Sequence, residues 1–253
     1  MKAMILAAGL GTRLLPLTAD RPKALVEIEG RTLLEIALSR LRIFGVREVI
    51  VNVYHFADMI VGYLNAHDNF GMRIEVSRED ALLDTGGGLK KAASFFIENS
   101  SRTEEPFILH NVDVLSTINL RRMVQFHNEN QALATLAVQE RNTSRYLLFD
   151  EQLLLCGRRA GGGEPELVRS SPTRSAQPVQ ALAFCGLHVI SPRLLVMMSE
   201  EGAFSIIACY LRLAAQREKI QAFRADEYYW RDLGTPEKIA QAAEDLKKKV
   251  VAF

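Results

Sequence analysis

The chain has 253 residues, 48% of them apolar and 24% charged, and its 31 basic and 30 acidic side chains leave a formal net charge of +1. That length is near the upper end of what one hydrophobic core organises, and the composition excludes a disordered, collagen-like or coiled-coil chain. Near-neutrality excludes a global field able to hold a nucleic acid, so any phosphate recognition must be local.

In chain order, Met4 to Ala8 is a continuous apolar run ending at Gly9, the pattern of a strand buried on both faces of a parallel sheet. As a signal peptide the stretch Met1 to Leu10 is too short and has no cleavage region. Leu33 to Phe44 has helical spacing, Gly45 stops it, and Glu48 to Val53 reads as a second buried strand. A helix is expected near His55 to Asn65, a strand at Arg73 to Val76, a helix from about Gly88 to Lys91, and a strand at Phe107 to His110. From Gln131 the pattern turns strand-like, with candidates at Ala132 to Val138, Tyr146 to Phe149 and Leu182 to Ile190, and helices near Ser205 to Gln216 and Pro236 to Lys249. Residues 157–178 are rich in Gly, Pro, Ser and Arg without periodicity, the signature of a mobile loop. The whole reads as one α/β domain over 1–253, a half over 1–130 and a half over 131–253. Ligands of such sheets bind beyond the carboxyl ends of the strands.

No apolar run reaches the roughly 18 to 20 residues that cross a bilayer. Cys156, Cys185 and Cys209 are odd in number and form no C-x-x-C pair, which points away from disulfides and zinc and toward a reducing cytoplasm. The histidines have no metal spacing, no G-x-S-x-G elbow is present, and His110 reads as a strand residue.

The densest signal is Leu6-Ala7-Ala8-Gly9-Leu10-Gly11-Thr12-Arg13, then Pro16-Leu17-Thr18 and Pro22-Lys23. Glycines after a strand let backbone amides approach phosphate oxygens, and Arg13 and Lys23 add positive charge, which makes a triphosphate cradle. A dinucleotide fingerprint would need glycine where Leu14 stands, and the G-K-[S/T] of a Walker loop is absent. The plain structural alternative is a tight turn with two solvated cations. Asp84-Thr85-Gly86-Gly87-Gly88 places three glycines in a row, costly in chain entropy unless a backbone must come close to something. Asp113 follows the strand ending at His110, where a lone aspartate is more often a turn or cap residue than a ligand, and Asp232 precedes the helix at Pro236, which it could cap.

Taken together, the glycine-rich loop, Arg13, Pro16-Leu17-Thr18, Pro22-Lys23 and Trp230-Arg231-Asp232-Leu233-Gly234-Thr235 resemble the sugar-1-phosphate nucleotidyltransferases. The resemblance implies a Rossmann-like three-layer α/β/α sandwich with a mixed, mostly parallel sheet. It implies an enzyme that joins a nucleoside triphosphate, UTP or GTP, to a sugar 1-phosphate with release of pyrophosphate. Residues 1–130 would hold the nucleotide and 131–253 the sugar phosphate. It assigns Arg13 and Lys23 to catalysis; Leu6, Ala8, Gly9, Gly11, Thr12, Arg13, Lys23, Thr85, Gly86, Gly87 and Asn111 to the nucleotide; and Asp113 and Asp232 to Mg2+. Glu164 and Gly186 would touch the sugar. Val112 departs from the family's glycine at that position and is expected to narrow the pocket. Two other functions share the nucleotide half: a non-catalytic nucleotide-sugar regulator, and a cytidylyltransferase for phosphocholine or a similar alcohol phosphate, which an aromatic cage would favour.

Overall fold

The computed structural model describes residues 1–97, 105–169, 179–248 and 250. The first half runs β1 (Lys2–Leu6), β2 (Glu27–Ile28), β3 (Arg31–Thr32), α1 (Leu33–Ile43), β4 (Glu48–Val53), α2 (Ala57–Ala66), β5 (Arg73–Arg78), α3 (Asp84–Lys91), α4 (Ala93–Ile97), β6 (Phe107–Asn111), β7 (Val114–Ser116) and α5 (Leu120–Glu129). The second half adds β8 (Ala134–Gln139), β9 (Arg145–Phe149), β10 (Leu155–Ala160), β11 (Glu166–Leu167), β12 (Gln180–Ile190), α6 (Arg193–Val196), α7 (Ile206–Ala215), β13 (Ile220–Arg224), β14 (Trp230–Asp232) and α8 (Pro236–Lys247).

One mixed sheet, in the order β11-β10-β9-β12-β6-β1-β4-β5, crosses both halves; β8 also pairs onto β12, and β13 onto β8. Strands β5, β4, β1 and β6 are mutually parallel, whereas β12 runs antiparallel to β6, β8 and β9. Alternation of side chains along each strand sends apolar residues to both faces. Ala3 and Ile5 join α1, α2, α5 and α8 in one core, while Met4 faces a second core with α3, α4, α6 and α7. The result is the expected α/β/α sandwich. None of the described helices is long and apolar enough to cross a membrane.

Local sequence sets the helix ends. Thr32 caps α1 by accepting the Glu35 amide at 3.0 Å, with glutamate three residues on as in a capping box, and Gly45 leaves it at φ 88°. Thr235 caps α8, with proline at its first position. Asp232 is therefore not the cap of that helix, nor is Asp113 the cap of any described one.

Three expectations change. The helix expected from about Gly88 begins at Asp84, and each of its glycines sits where another part of the chain comes too close for a side chain. A Cβ on Gly86 would overlap the Phe204 ring, one on Gly87 would lie 2.5 Å from the Gly202 carbonyl, and one on Gly88 2.6 Å from Asn52 Nδ2. The segment read as a mobile loop over 157–178 carries strand β10 as far as Ala160 and the short β11, paired antiparallel; residues 170–178 lie outside the described residues. Its aperiodic polarity reflects an edge hairpin held by backbone pairing, with side chains free to face solvent. Finally, Val112 does not narrow the pocket: its side chain is buried in the first core and its amide donates to the Leu6 carbonyl at 3.1 Å.

Candidate active site

The carboxyl ends of three parallel strands stand abreast. Leu6 lies in register with Asn52 of β4 on one side and Asn111 of β6 on the other. Asn52, buried, accepts the Ala7 amide at 2.8 Å through Oδ1 and donates Nδ2 to Glu79 Oε1 at 2.6 Å; the other Glu79 oxygen accepts the Leu83 amide at 3.0 Å. This clamp ties the start of the glycine-rich loop to the segment leading into α3.

The loop then turns at Gly11, φ 68°, where a Cβ would meet Thr18 Cγ2 at 3.0 Å and Lys23 Cβ at 3.1 Å. Only glycine accommodates both that conformation and that proximity. The Gly11 carbonyl accepts the Leu14 amide at 2.8 Å and the Thr18 hydroxyl at 2.9 Å, and fully buried Leu14 anchors the turn. Among the described residues no protein acceptor takes the amides of Gly9, Leu10 or Gly11, and Arg13 makes no ion pair. Successive unpaired amides beside a free guanidinium suit an anionic ligand.

Lys23 closes on Asp113 in an ion pair, and Lys238 of α8 closes on Asp232 in another. The two aspartates are neighbours although 119 positions apart in the chain, by 232 − 113. Strand β14 pairs antiparallel with β7, Asp232 opposite Val114, and the Leu233 amide donates to the Asp113 carbonyl at 2.8 Å. A Cβ on Gly234 would lie 3.0 Å from both Arg13 Nη2 and Asp232 Oδ1, which brings Arg13 to the same place. Magnesium takes one or two carboxylates and completes its sphere with phosphate oxygens and water. No group of three or more His, Cys, Asp or Glu side chains forms a metal cage among the described residues. Two adjacent carboxylates are thus a donor set suited to an ion that arrives with a phosphate ligand.

These groups open into a cavity of about 820 Å³ lined by Arg13, Asn111, Asp113, Glu164, Gly186, Asp232 and Lys238, so six of the sequence-derived site residues meet in one place. Asn111 Oδ1 is buried with no partner among the described residues, an acceptor left for a ligand or water. Gly186, φ 72°, sits in the irregular stretch of β12, where a Cβ would be 2.8 Å from Val114 and 2.9 Å from Asn111 Nδ2. His110, fully buried behind Asn111, is pushed by burial down to about 3 and stays neutral. Its place is structural.

Thr85, Gly86 and Gly87 are not part of that lining. The Gly86 and Gly87 amides donate to the Phe204 carbonyl at 2.9 and 3.3 Å, and Thr85 Oγ1 accepts the Ile206 amide at 3.0 Å. Sequence reasoning missed Asn52, Glu79, Lys238 and a wall of arginines. Arg141 stacks on Trp230, 3.7 Å from guanidinium carbon to ring centroid, and donates to the Phe184 carbonyl at 2.7 Å, while Trp230 Nε1 donates to the Cys185 carbonyl at 2.7 Å. Arg159 lies over Tyr146 at 5.0 Å, and Arg145 and Arg158 line the same side. Of these, Lys238 had a visible signal, six residues after Asp232 on the helix that follows it.

Residues 2–150 match the family model described as nucleotidyl transferase. The N-acetylmuramate alpha-1-phosphate uridylyltransferase of Caulobacter vibrioides is 33% identical over 241 residues, 93% of this chain and 92% of that protein. A mannose-1-phosphate guanyltransferase of Kluyveromyces lactis is 27% identical over 93% of this chain and 62% of its own length. The structure of HddC from Yersinia pseudotuberculosis with GMP-PN, 22% identical, shares the fold with a TM-score of 0.74 over 97% of this chain and 99% of that one. With its family model matched from β1 through β9 and a relative aligned along nearly its full length, the chain belongs to the nucleotidyl transferase family.

Proposed function

We propose that the chain joins a nucleoside triphosphate to a sugar 1-phosphate, with UTP as the nucleotide and an acidic amino-sugar phosphate of the N-acetylmuramate kind as the acceptor. The observation that carries the reaction class is the meeting of Arg13, Lys23–Asp113 and Lys238–Asp232 at one end of a cavity that the second half of the chain completes. The choice of base follows the Caulobacter relative. The choice of acceptor is supported by that relative and by the arginines. Arg141, Arg145 and Arg159 have no carboxylate partner among the described residues, whereas Arg158 is paired with Glu166 at 2.6 Å. A sugar bearing a carboxylate besides its phosphate would neutralise them. A quaternary amine would not, and the faces of Trp230 and Tyr146 already carry guanidinium groups, so phosphocholine has no cage here.

An oxygen of the sugar phosphate attacks the α-phosphorus in line; the new P–O bond forms as the bond to the β-phosphate breaks, and pyrophosphate leaves with its electron pair. The nucleophile is anionic near neutral pH, so no side chain needs to remove a proton. Residues 1–130 hold the triphosphate: Gly9, Gly11 and Thr12 present backbone, Arg13 and Lys23 meet the developing charge, and Leu6, Ala8 and Asn111 line the strand ends. For Thr85, Gly86 and Gly87 a contact with the base rests on the family resemblance alone, since the Gly86 and Gly87 amides are taken by the Phe204 carbonyl. Asp113 and Asp232 would hold Mg2+, which when bound screens phosphate charge. In 131–253, Glu164, Gly186 and the arginines orient the sugar. Three free, buried cysteines suit a reducing cytoplasm.

The test is pyrophosphate release from the common triphosphates crossed with neutral and acidic sugar 1-phosphates. UTP with N-acetylmuramate 1-phosphate should give the highest kcat/KM. A better pair of another kind would overturn the substrate assignment and keep the class; no release from any pair would overturn both.

A further inference from the structure

Both carboxylates of the proposed metal site end on a lysine, and the two lysines are not equivalent. Lys23 rises from the loop between β1 and β2, its Cβ pressed against Gly11, and its side chain is 12% exposed. Lys238 stands on the first turn of α8, its side chain is 42% exposed, and it lines the cavity along with Trp230 and Arg141. Two carboxylates held on adjoining strand ends repel each other, and two ammonium groups supply the same double positive charge that a divalent cation would. Lys238 has room to leave Asp232; Lys23 is packed in.

We propose that Lys238 is an exchangeable phosphate-binding cation. In the ligand-free chain it neutralises Asp232, and in the loaded enzyme it releases Asp232 to a divalent cation and turns its ammonium to the phosphate of the incoming acceptor. Lysine suits the task, with a compact charge and three donors on a flexible four-carbon stem. The acceptor phosphate is the partner because Lys238 comes from the half of the chain, 131–253, that the proposed function gives to the acceptor, and lines one cavity with Arg141, Glu164 and Gly186. The acceptor role rests on the nucleotidyl-transfer reading; the exchange at Asp232 does not.

The assignment makes an opposed pair of effects from one substitution. Lys238→Gln removes the competitor for Asp232, so Mn2+, followed by electron paramagnetic resonance on the full chain without substrates, should bind about two- to five-fold more tightly, the range of a partly exposed ion pair. The same variant should lose on the order of 10- to 100-fold in kcat/KM for the sugar phosphate, the size of one charge-assisted contact, with KM for the triphosphate nearly unchanged. Lys238→Arg keeps the charge and should recover part of the acceptor term. In an Asp232→Asn background the Lys238→Gln change should no longer alter Mn2+ affinity. Mn2+ affinity that is unchanged or weaker in Lys238→Gln overturns the exchange whatever the turnover, because that arm needs none. Acceptor kcat/KM within twofold of wild type, in an enzyme that does release pyrophosphate, overturns the phosphate role. Side-chain exposure at 238 leaves the fold little to lose, and an unchanged urea midpoint checks it.

Discussion

Replacing Asn52 with alanine should cost this protein far more than one ordinary hydrogen bond. Both of its partners are buried: Ala7 is 4% exposed and Glu79 6% exposed. The substitution orphans the Ala7 amide, at about 1–3 kcal/mol, and strips a donor from the Glu79 carboxylate, at about 1.5–3 kcal/mol, so the total is about 2.5–6 kcal/mol. That is a large share of the roughly 5–15 kcal/mol by which folded domains exceed their unfolded chains. Ala7 leads directly into the glycine-rich loop, so KM for the triphosphate should rise as well. Asn52→Asp separates the two bonds: it keeps an acceptor for Ala7 but sets a second carboxylate against Glu79, and adding Glu79→Gln restores a donor between them. Urea denaturation of the wild type, Asn52→Ala, Asn52→Asp and Asn52→Asp/Glu79→Gln is the assay. Stability of Asn52→Ala within about 1 kcal/mol of wild type, or no recovery in the double variant, would refute the clamp.

Lys23→Ala should lower turnover on the order of 10²- to 10³-fold at saturating substrates with the fold retained, since it removes a cation facing the phosphates; steady-state pyrophosphate release with circular dichroism checks both halves of the statement. Gly86→Ala should destabilise by about 1–3 kcal/mol through collision with Phe204, and Phe204→Ala in the same chain should recover part of the loss on thermal melting. Acid should also weaken the fold. Burial lowers His110 and His188 to about 3 and His127 to about 4, so they are neutral when folded, while the unfolded chain takes up protons near its ordinary value of about 6.5. Their stabilisation is complete above that value and lost as pH falls toward the folded values, about 2 kcal/mol per histidine between pH 7 and 5. Urea midpoints at the two pH values should show that decline, and a flat profile would show that these rings are not held neutral.

The parallel half of the fold was legible because its strands are short apolar runs buried on both faces and its helices carry their own caps, as at Thr32 and Thr235. Strand β4 falls exactly where the apolar run 48–53 placed it. Helix α5 and strands β10 and β13 were not recognised: β10 is buried from Leu155 to Gly157 and polar beyond, between β9 and the edge strand β11, and its backbone pairing leaves no mark on side-chain periodicity. The glycine run at 86–88 went to a helix for a related reason. Glycine is a poor helix former on its own, and close approach by Phe204, Gly202, Asn52 and Glu79 overrode that preference.

The same division holds at the site. Residue identities named the loop glycines, Arg13 and Lys23, because phosphate chemistry needs such side chains and amides close after a strand, and the family resemblance added Asp113 and Asp232. That Asp113 and Asp232 are neighbours and that Arg141 covers Trp230 depend on β14 lying against β7 and on the β12 irregularity at Gly186. Contacts between segments so far apart in the chain are made by packing and strand pairing, and nothing local in the chain records them.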